Sequence, residues 1–305
     1  MADFTFTASD NASIFVYKWL PATDIKGIVH IAHGLADHAG RFTRTAKSLN
    51  AHGYAVYAAD LRGHGNTARN QEELGFLAEE DGWNRVALDV QEIMELSRTE
   101  FPAAPLILLG HSMGSYLAQQ IIYERPTLLA AAILSAPNGK PSLLAKAGPG
   151  IARAERLRLG KRGRSQFVNS LTFGKFNQQF PNAETPFDWL TRDTTEVKLY
   201  FNDSKCGFIA TTQLWIDFMD GISELSKPAH KTRIPKDFPI HILAGGKDPV
   251  CENGRGAEDL AAEYRLAGLQ RVTCKIYPEG RHEMLNETNR HEVMSDLVTW
   301  LNDKG

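Results

Sequence analysis

Residues 105–119 read PLILLGHSMGSYLAQ, and this stretch decides the fold. Leu106-Ile107-Leu108-Leu109 is a continuous apolar run of the length of a buried strand. From Met113 onward the residues suit a helix, with small Ser115 and Ala118 facing whatever lies behind it. Between the two stands Gly110-His111-Ser112-Met113-Gly114, a G-x-S-x-G pattern. A serine on a sharp strand-to-helix turn is held in a strained backbone conformation with its hydroxyl in the open. Strand and helix pass so close there that Gly110 and Gly114 leave out a Cβ. The pattern alone is weak evidence, because a glycine-flanked turn serine looks the same. A strand before it and a helix after it favour a nucleophile.

Upstream, Phe4–Thr7 and Ser13–Trp19 suit an antiparallel pair, and Gly27–Ala32 is a buried strand that stops at His33-Gly34. A helix from about Arg41 to His52 follows, then a strand at Tyr54–Ala59. Val86, Val90, Ile93 and Leu96 give the segment from Trp83 to Thr99 a helical period. Downstream come a strand at Ala130–Ser135, another at Phe238–Gly245 and a helix around Glu258 to Leu266. A strand at Val272–Tyr277 and a terminal helix from about Asn289 to Leu301 finish the alternation. Strands alternating with helices predict an α/β protein with a mostly parallel central sheet flanked by helices. The alternation breaks after Ser135, where Gly-Pro breaks, a basic run and aromatic clusters replace it. An irregular insertion of that size predicts a lid. Residues 1–137 and 207–305 are expected to form the core, and residues 138–206 the lid.

A chain of 305 residues can bury one large core, and a net charge of −2 gives no reason to expect a nucleic-acid partner. Cys206, Cys251 and Cys274 are too few and too scattered for a disulfide framework or a zinc site, and they read as reduced thiols. The opening MADFTFTASD has neither a basic n-region nor an apolar h-region, and no run approaches the ~18 apolar residues of a membrane span. The expected location is cytoplasmic.

A nucleophilic serine needs a base, the base an orienting acid, and the developing oxyanion a pair of donors. In an open parallel sheet these gather at the carboxyl ends of strands. Asp248 lies just past one strand in GGKDP, and His282 just past the last in PEGRHE. Singly, the first could be a turn residue and the second a surface histidine. With Ser112 they give the order Ser, Asp, His expected of an α/β-hydrolase. The amide of Met113 is one expected oxyanion donor, and that of Leu35, in the loop after Gly27–Ala32, the other. His111 is expected to pack, His33 and His64 to order loops, and His291 to be solvated. No histidine pair has metal-ligand spacing within an acidic cluster, so neither metal nor cofactor is expected. Gly63-His64-Gly65 lacks the continuation of a phosphate cradle.

HGLADH (33–38), Asp60 to Gly65, GHSMG, GGKDPV and YPEGRHEMLNE (277–287) occur in the order seen in monoacylglycerol lipases and bacterial lysophospholipases. The chain resembles that α/β-hydrolase group over most of residues 27–136 and 238–300, with Asp37 where the group usually carries Glu. Residues 185–208 further resemble bacterial lysophospholipases. The resemblance implies Ser112 as nucleophile, Asp248 as acid, His282 as base, and Leu35 and Met113 as oxyanion donors. It implies hydrolysis of carboxylic esters through an acyl-enzyme; it does not fix the substrate, and single-acyl lipids are expected because the lid can supply apolar wall. A general short-chain esterase, a cofactor-free haloperoxidase and a serine aminopeptidase are alternatives on the same fold. In the group, a cysteine matching Cys251 lies near the site, so this thiol is either a target of bulky thiol reagents or packed and inert.

Two expectations concern the lid. Leu143, Leu144, Phe173, Phe176 and Phe180 could wall an acyl chain or form the lid's own core. The segment RAERLRLGKRGR (153–164) sets Arg153, Arg156, Arg158, Lys161, Arg162 and Arg164 against one acid, Glu155. It is expected either to touch anionic membrane peripherally or to be a solvated turn, with Gly160 and Gly163 limiting any long helix.

Overall fold

The computed structural model describes residues 2–139 and 143–303, and the side chains of all of these except 143–147. Eight strands form one sheet in the order β1-β2-β4-β3-β5-β6-β7-β8. They are β1 (Phe4–Thr7), β2 (Ser13–Trp19), β3 (Gly27–Ala32), β4 (Tyr54–Ala59), β5 (Leu106–His111), β6 (Ala131–Ser135), β7 (Ile240–Gly245) and β8 (Val272–Tyr277). β1 and β2 are antiparallel, β2 joins β4 antiparallel, and every pairing from β4 to β8 is parallel. Register is fixed by pairs such as Ile31 with Leu109, Leu109 with Ile133, and Ser135 with Leu243.

The central strands are buried on both faces, which is why they read as unbroken apolar runs. Alternate residues still part to opposite sides. Ile28, Tyr57, Leu108, Leu134 and Ile242 face α2 (Gly82–Glu100), α3 (Met113–Glu124) and α9 (Arg255–Leu266). Val29, Val56, Leu109, Ile133 and Leu243 face α1 (Thr43–Ala51) and α10 (Arg290–Asn302). This is the sheet covered on both faces that the alternation predicts, and it is an α/β-hydrolase architecture.

Between β6 and β7 the chain runs through α4 (Leu143–Leu159), α5 (Gln166–Thr172), α6 (Thr194–Asn202), α7 (Thr212–Leu225) and the short α8 (Pro228–Lys231). α4 stops where Gly160 takes φ +77°, and the Gly160 amide donates to Arg156 O at 2.8 Å. Pro149 lies inside α4, a residue that as a rule breaks a helix and hides it from a sequence reading. α7 lies along α4 and also against α2 and α3, so it joins the insertion to the core helices. Among the described residues, no helix is long and apolar enough to cross a membrane.

Candidate active site

Ser112 is the last residue before α3 and has φ 51° and ψ −119°, a region that L-residues enter only when their surroundings hold them there. The surroundings are tight. A Cβ on Gly110 would collide with the carbonyl of Gly114, and one on Gly114 with the carbonyl of Ala32. The turn is pinned by Ser112 N–H donating to Ser135 O at 3.0 Å and by Ser115 Oγ donating to Ser112 O at 2.6 Å. Met113, Gly114 and Ser115 are buried, whereas Ser112 stays partly exposed.

The loop after β3 abuts this turn, and a Cβ on Gly34 would stand 3.2 Å from Ser112 Cβ. His33 orders the loop: Nδ1–H donates to Gly34 O at 2.8 Å, and Nε2 accepts the Leu61 amide at 2.9 Å. Burial pushes this imidazole down to about 3, so it stays neutral and keeps that tautomer. Farther along, Ala36 O accepts from Tyr200 Oη at 2.7 Å and from the Gly207 amide at 2.9 Å. His38 Nε2 meets Asp203 Oδ2 at 2.9 Å, with Cys206 beside them. These are the one trio of metal-capable side chains among the described residues, a convergence that the sequence does not reveal. The His38–Asp203 bond ties the loop to the segment after α6.

Asp248 and His282 follow β7 and β8, and the structure brings them together. His282 Nδ1 donates to Asp248 Oδ2 at 2.9 Å, and both side chains are buried. The Val250 amide donates to Asp248 Oδ1 at 2.8 Å, and the Cys251 thiol donates to Oδ2 at 3.0 Å. Burial pushes the Asp248 carboxyl up. The charge and hydrogen bond of His282, then the hydrogen bonds of Cys251 and Val250, outweigh it and hold the group below the ordinary carboxylate value. Asp248 is therefore an anion facing the imidazole.

Two rings flank His282. His111 lies at 4.9 Å between centroids, with its Nδ1 3.1 Å from Ser135 Oγ, so its packing role places it against the expected base. Burial, then His282, push His111 down to about 4, which keeps it neutral. Trp189 lies at 5.1 Å on another side. The backbone around Trp189 is sewn to the His282 loop. The Glu283 amide donates to Leu190 O at 2.7 Å, Thr191 Oγ1 to Asn286 O at 3.0 Å, and Arg192 Nε to Glu287 Oε2 at 2.9 Å. Arg41 forms a two-pronged bond to Glu283, with both N···O distances at 2.7 Å. It also donates to Asp37 Oδ1 at 3.0 Å, so the shorter acid at position 37 still reaches it.

Ser112, Leu35 and Met113 open together into a cavity of about 330 Å³. Its walls are mainly apolar, with Tyr116, Phe173, Phe176, Trp215, Phe218 and Ile222 prominent. Phe173 and Phe176 line this cavity and also pack with Trp189 in a small core of the insertion. Phe180 does not line it. It stacks under Arg281, 4.0 Å from the guanidinium carbon to the ring centroid, beside a separate cleft. The side chains of Leu143 and Leu144 lie outside the described residues. His291 is exposed, as expected.

The basic strip is largely engaged within the chain. Arg153 pairs with Asp220, Arg158 with Glu155, and Lys161 and Arg162 with Glu79. Arg156 bonds Gln213 Oε1, and Arg164 donates to the carbonyls of Leu74 and Ile209.

Sheet order, elbow and cavity together define the class: an α/β-hydrolase. The chain belongs to the family described as Serine aminopeptidase, S33 (Hydrolase_4), whose model matches residues 23–289. It is similar to a monoacylglycerol lipase of Mycolicibacterium smegmatis, 26% identical over 303 residues that cover 98% of this chain and 96% of that one. It is also similar to the monoglyceride lipase of Homo sapiens, 25% identical over 299 residues, covering 97% and 89%. In fold it matches the crystal structure of a thermostable carboxyl esterase from Bacillus coagulans, with a TM-score of 0.91, 23% identity, and 99% and 98% of the two chains covered.

Proposed function

We propose that this protein is a serine hydrolase that cleaves carboxylic esters of single-acyl lipids, monoacylglycerol first among them, through an acyl-enzyme. Ser112 attacks the ester carbonyl. His282 accepts its proton, and Asp248 fixes the imidazole tautomer and stabilises the imidazolium that forms. The amides of Leu35 and Met113 receive the oxyanion, each worth about 3 kcal/mol of transition-state stabilisation. The alcohol leaves, water attacks through the same histidine, and the fatty acid departs. Residues 138–206 act as the lid that supplies Phe173, Phe176 and Trp189 to the acyl wall, over a core of 1–137 and 207–305.

One observation carries the reading: a part-exposed serine in a strained turn opens into an apolar cavity large enough for an acyl chain. The similarity to monoacylglycerol lipases along nearly the whole chain supports the substrate class. An aminopeptidase would need a carboxylate for its substrate's free amine. The single carboxylate among the described cavity residues is Glu252, and Arg255 already pairs with it. The strip from Arg153 to Arg164 enters as a weak contact with anionic lipid, beside Leu157, which is 88% exposed. Glu155, Asp220 and Glu79 neutralise about half of its charge, so the contact should be strongly salt-sensitive.

The test is a substrate panel of monoacylglycerols, lysophosphatidylcholine, p-nitrophenyl esters of graded length, and amino-acid anilides. The reading expects the highest kcat/KM on monoacylglycerol and none on anilides. Preference for anilides, or for acetate over longer acyl chains, would overturn it.

A further inference from the structure

Cys251 takes no part in the steps above, yet its thiol lies 3.0 Å from Asp248 Oδ2, the oxygen that also accepts His282 Nδ1–H. The side chain is fully buried. Burial, then the charge of Asp248, push the thiol well up, so it remains a protonated donor and a poor target for thiol reagents.

The backbone goes out of its way to place it. Glu252, Asn253 and Gly254, the three residues that follow, all have left-handed φ values of 53°, 59° and 90°. Only the glycine enters that region freely, so Glu252 and Asn253 are held there by their bonds. Asn253 N–H donates to Asp248 O at 2.7 Å, and the amides of Gly254 and Gly256 donate to Cys251 O at 3.1 and 2.9 Å. Asn138, just after β6, donates from Nδ2 to Val250 O at 2.6 Å. The loop is wound to turn residue 251 inward onto the carboxylate. Oδ1 is engaged by the Val250 amide, so the thiol and the imidazole share the remaining oxygen.

We propose that Cys251 is a positioning residue of the triad: its S–H donates to Asp248 Oδ2, fixing the carboxylate toward His282 and moderating its pull on the imidazolium. The inference rests on the triad reading given above. A donor on Oδ2 withdraws negative charge from the oxygen that faces the ring. Removing that donor makes the carboxylate a stronger partner for the protonated ring, which then gives up its proton at higher pH.

The experiment compares wild type, Cys251→Ala and Cys251→Ser in two readouts. The first is the His282 ring titration by 1H–13C NMR, assigned with His282→Gln. The second is the acid limb of kcat/KM on a p-nitrophenyl ester. Cys251→Ala should move both to higher pH by about half a unit and lower kcat about threefold to tenfold with KM unchanged. Cys251→Ser keeps a donor and should restore both. A packing role would leave the titration in place in Cys251→Ala, or would move it as far in Cys251→Ser, and either result overturns the proposal. The infrared S–H stretch of the wild-type protein, assigned among its three thiols by difference against Cys251→Ala, reads the bond directly. A band for Cys251 at the low frequency of a donating thiol supports the bond, and one at the frequency of a free thiol overturns it. Neither spectroscopic readout requires substrate, so a wild type inactive on every ester would overturn the hydrolase reading and leave the Cys251 result legible.

Discussion

Breaking the Arg41–Glu283 pair tests how the site is braced. Glu283 follows His282 directly, and Arg41 lies in the turn that leads from the Leu35 loop into α1, so the pair links the expected base to the expected oxyanion loop. The side chains are 11% and 5% exposed, and Asn286 Nδ2 adds a bond to Glu283 Oε2 at 2.9 Å. Glu283→Ala leaves the guanidinium buried with Asp37 as its remaining carboxylate. Losing one partner of a buried pair costs about 3–5 kcal/mol, and Asp37 places this case near the lower end, about 3 kcal/mol. With a urea slope of about 3 kcal/mol/M for a chain of this size, the midpoint should fall by about 1 M at pH 7. The pH dependence follows from the same pair. Burial raises the Glu283 carboxyl, but the charge and hydrogen bonds of Arg41 outweigh it and hold the group below the ordinary glutamate value. A folded value below the unfolded one stabilises the protein above the unfolded value, and that stability is lost as pH falls through the folded value. The variant's deficit should therefore shrink as pH drops below about 4.3. The double variant Arg41→Met, Glu283→Leu should recover part of the loss, since only Asp37 is then left without its cation and it keeps the His38 amide as a donor. A midpoint within 0.2 M of wild type, roughly half a kcal/mol, would refute the bracing role. A double variant as unstable as the single one would refute the electrostatic reasoning.

Two further predictions concern the site and its surface. Asp248→Asn should lower kcat by about 10³–10⁴-fold while the fold survives, because the amide no longer fixes the required imidazole tautomer, and a nearly active variant would point to another carboxylate. Arg153→Gln with Arg158→Gln should lose co-sedimentation with phosphatidylglycerol vesicles at low salt and keep full turnover of a soluble short-chain ester. Unchanged sedimentation would remove the strip from the membrane reading.

The elbow, the strands around it and the positions of Asp248 and His282 were legible because they rest on local pattern. A strand buried on both faces is an apolar run, and a parallel sheet places chemistry at strand ends. The insertion was less legible. Pro149 and the glycines break the apparent period of α4, and no expected helix covers α7, although it supplies Trp215, Phe218 and Ile222 to the cavity. Contacts between distant segments leave no local trace. Trp189 against His282, Gly34 against Ser112, and the Arg41–Glu283 brace each join segments tens to hundreds of residues apart. Phe180 takes the other of its two expected places, packed against the insertion's small core and stacked on Arg281, off the cavity wall.

The central claim is that Ser112 forms the acyl-enzyme, and a fluorophosphonate probe followed by peptide mass spectrometry tests it most directly. Wild type should take up one label, on Ser112. Ser112→Ala should take up none and keep less than about a tenth of wild-type kcat with an unchanged unfolding midpoint. A label on any other residue, or a Ser112→Ala variant that still turns over ester at more than that rate, would contradict the account.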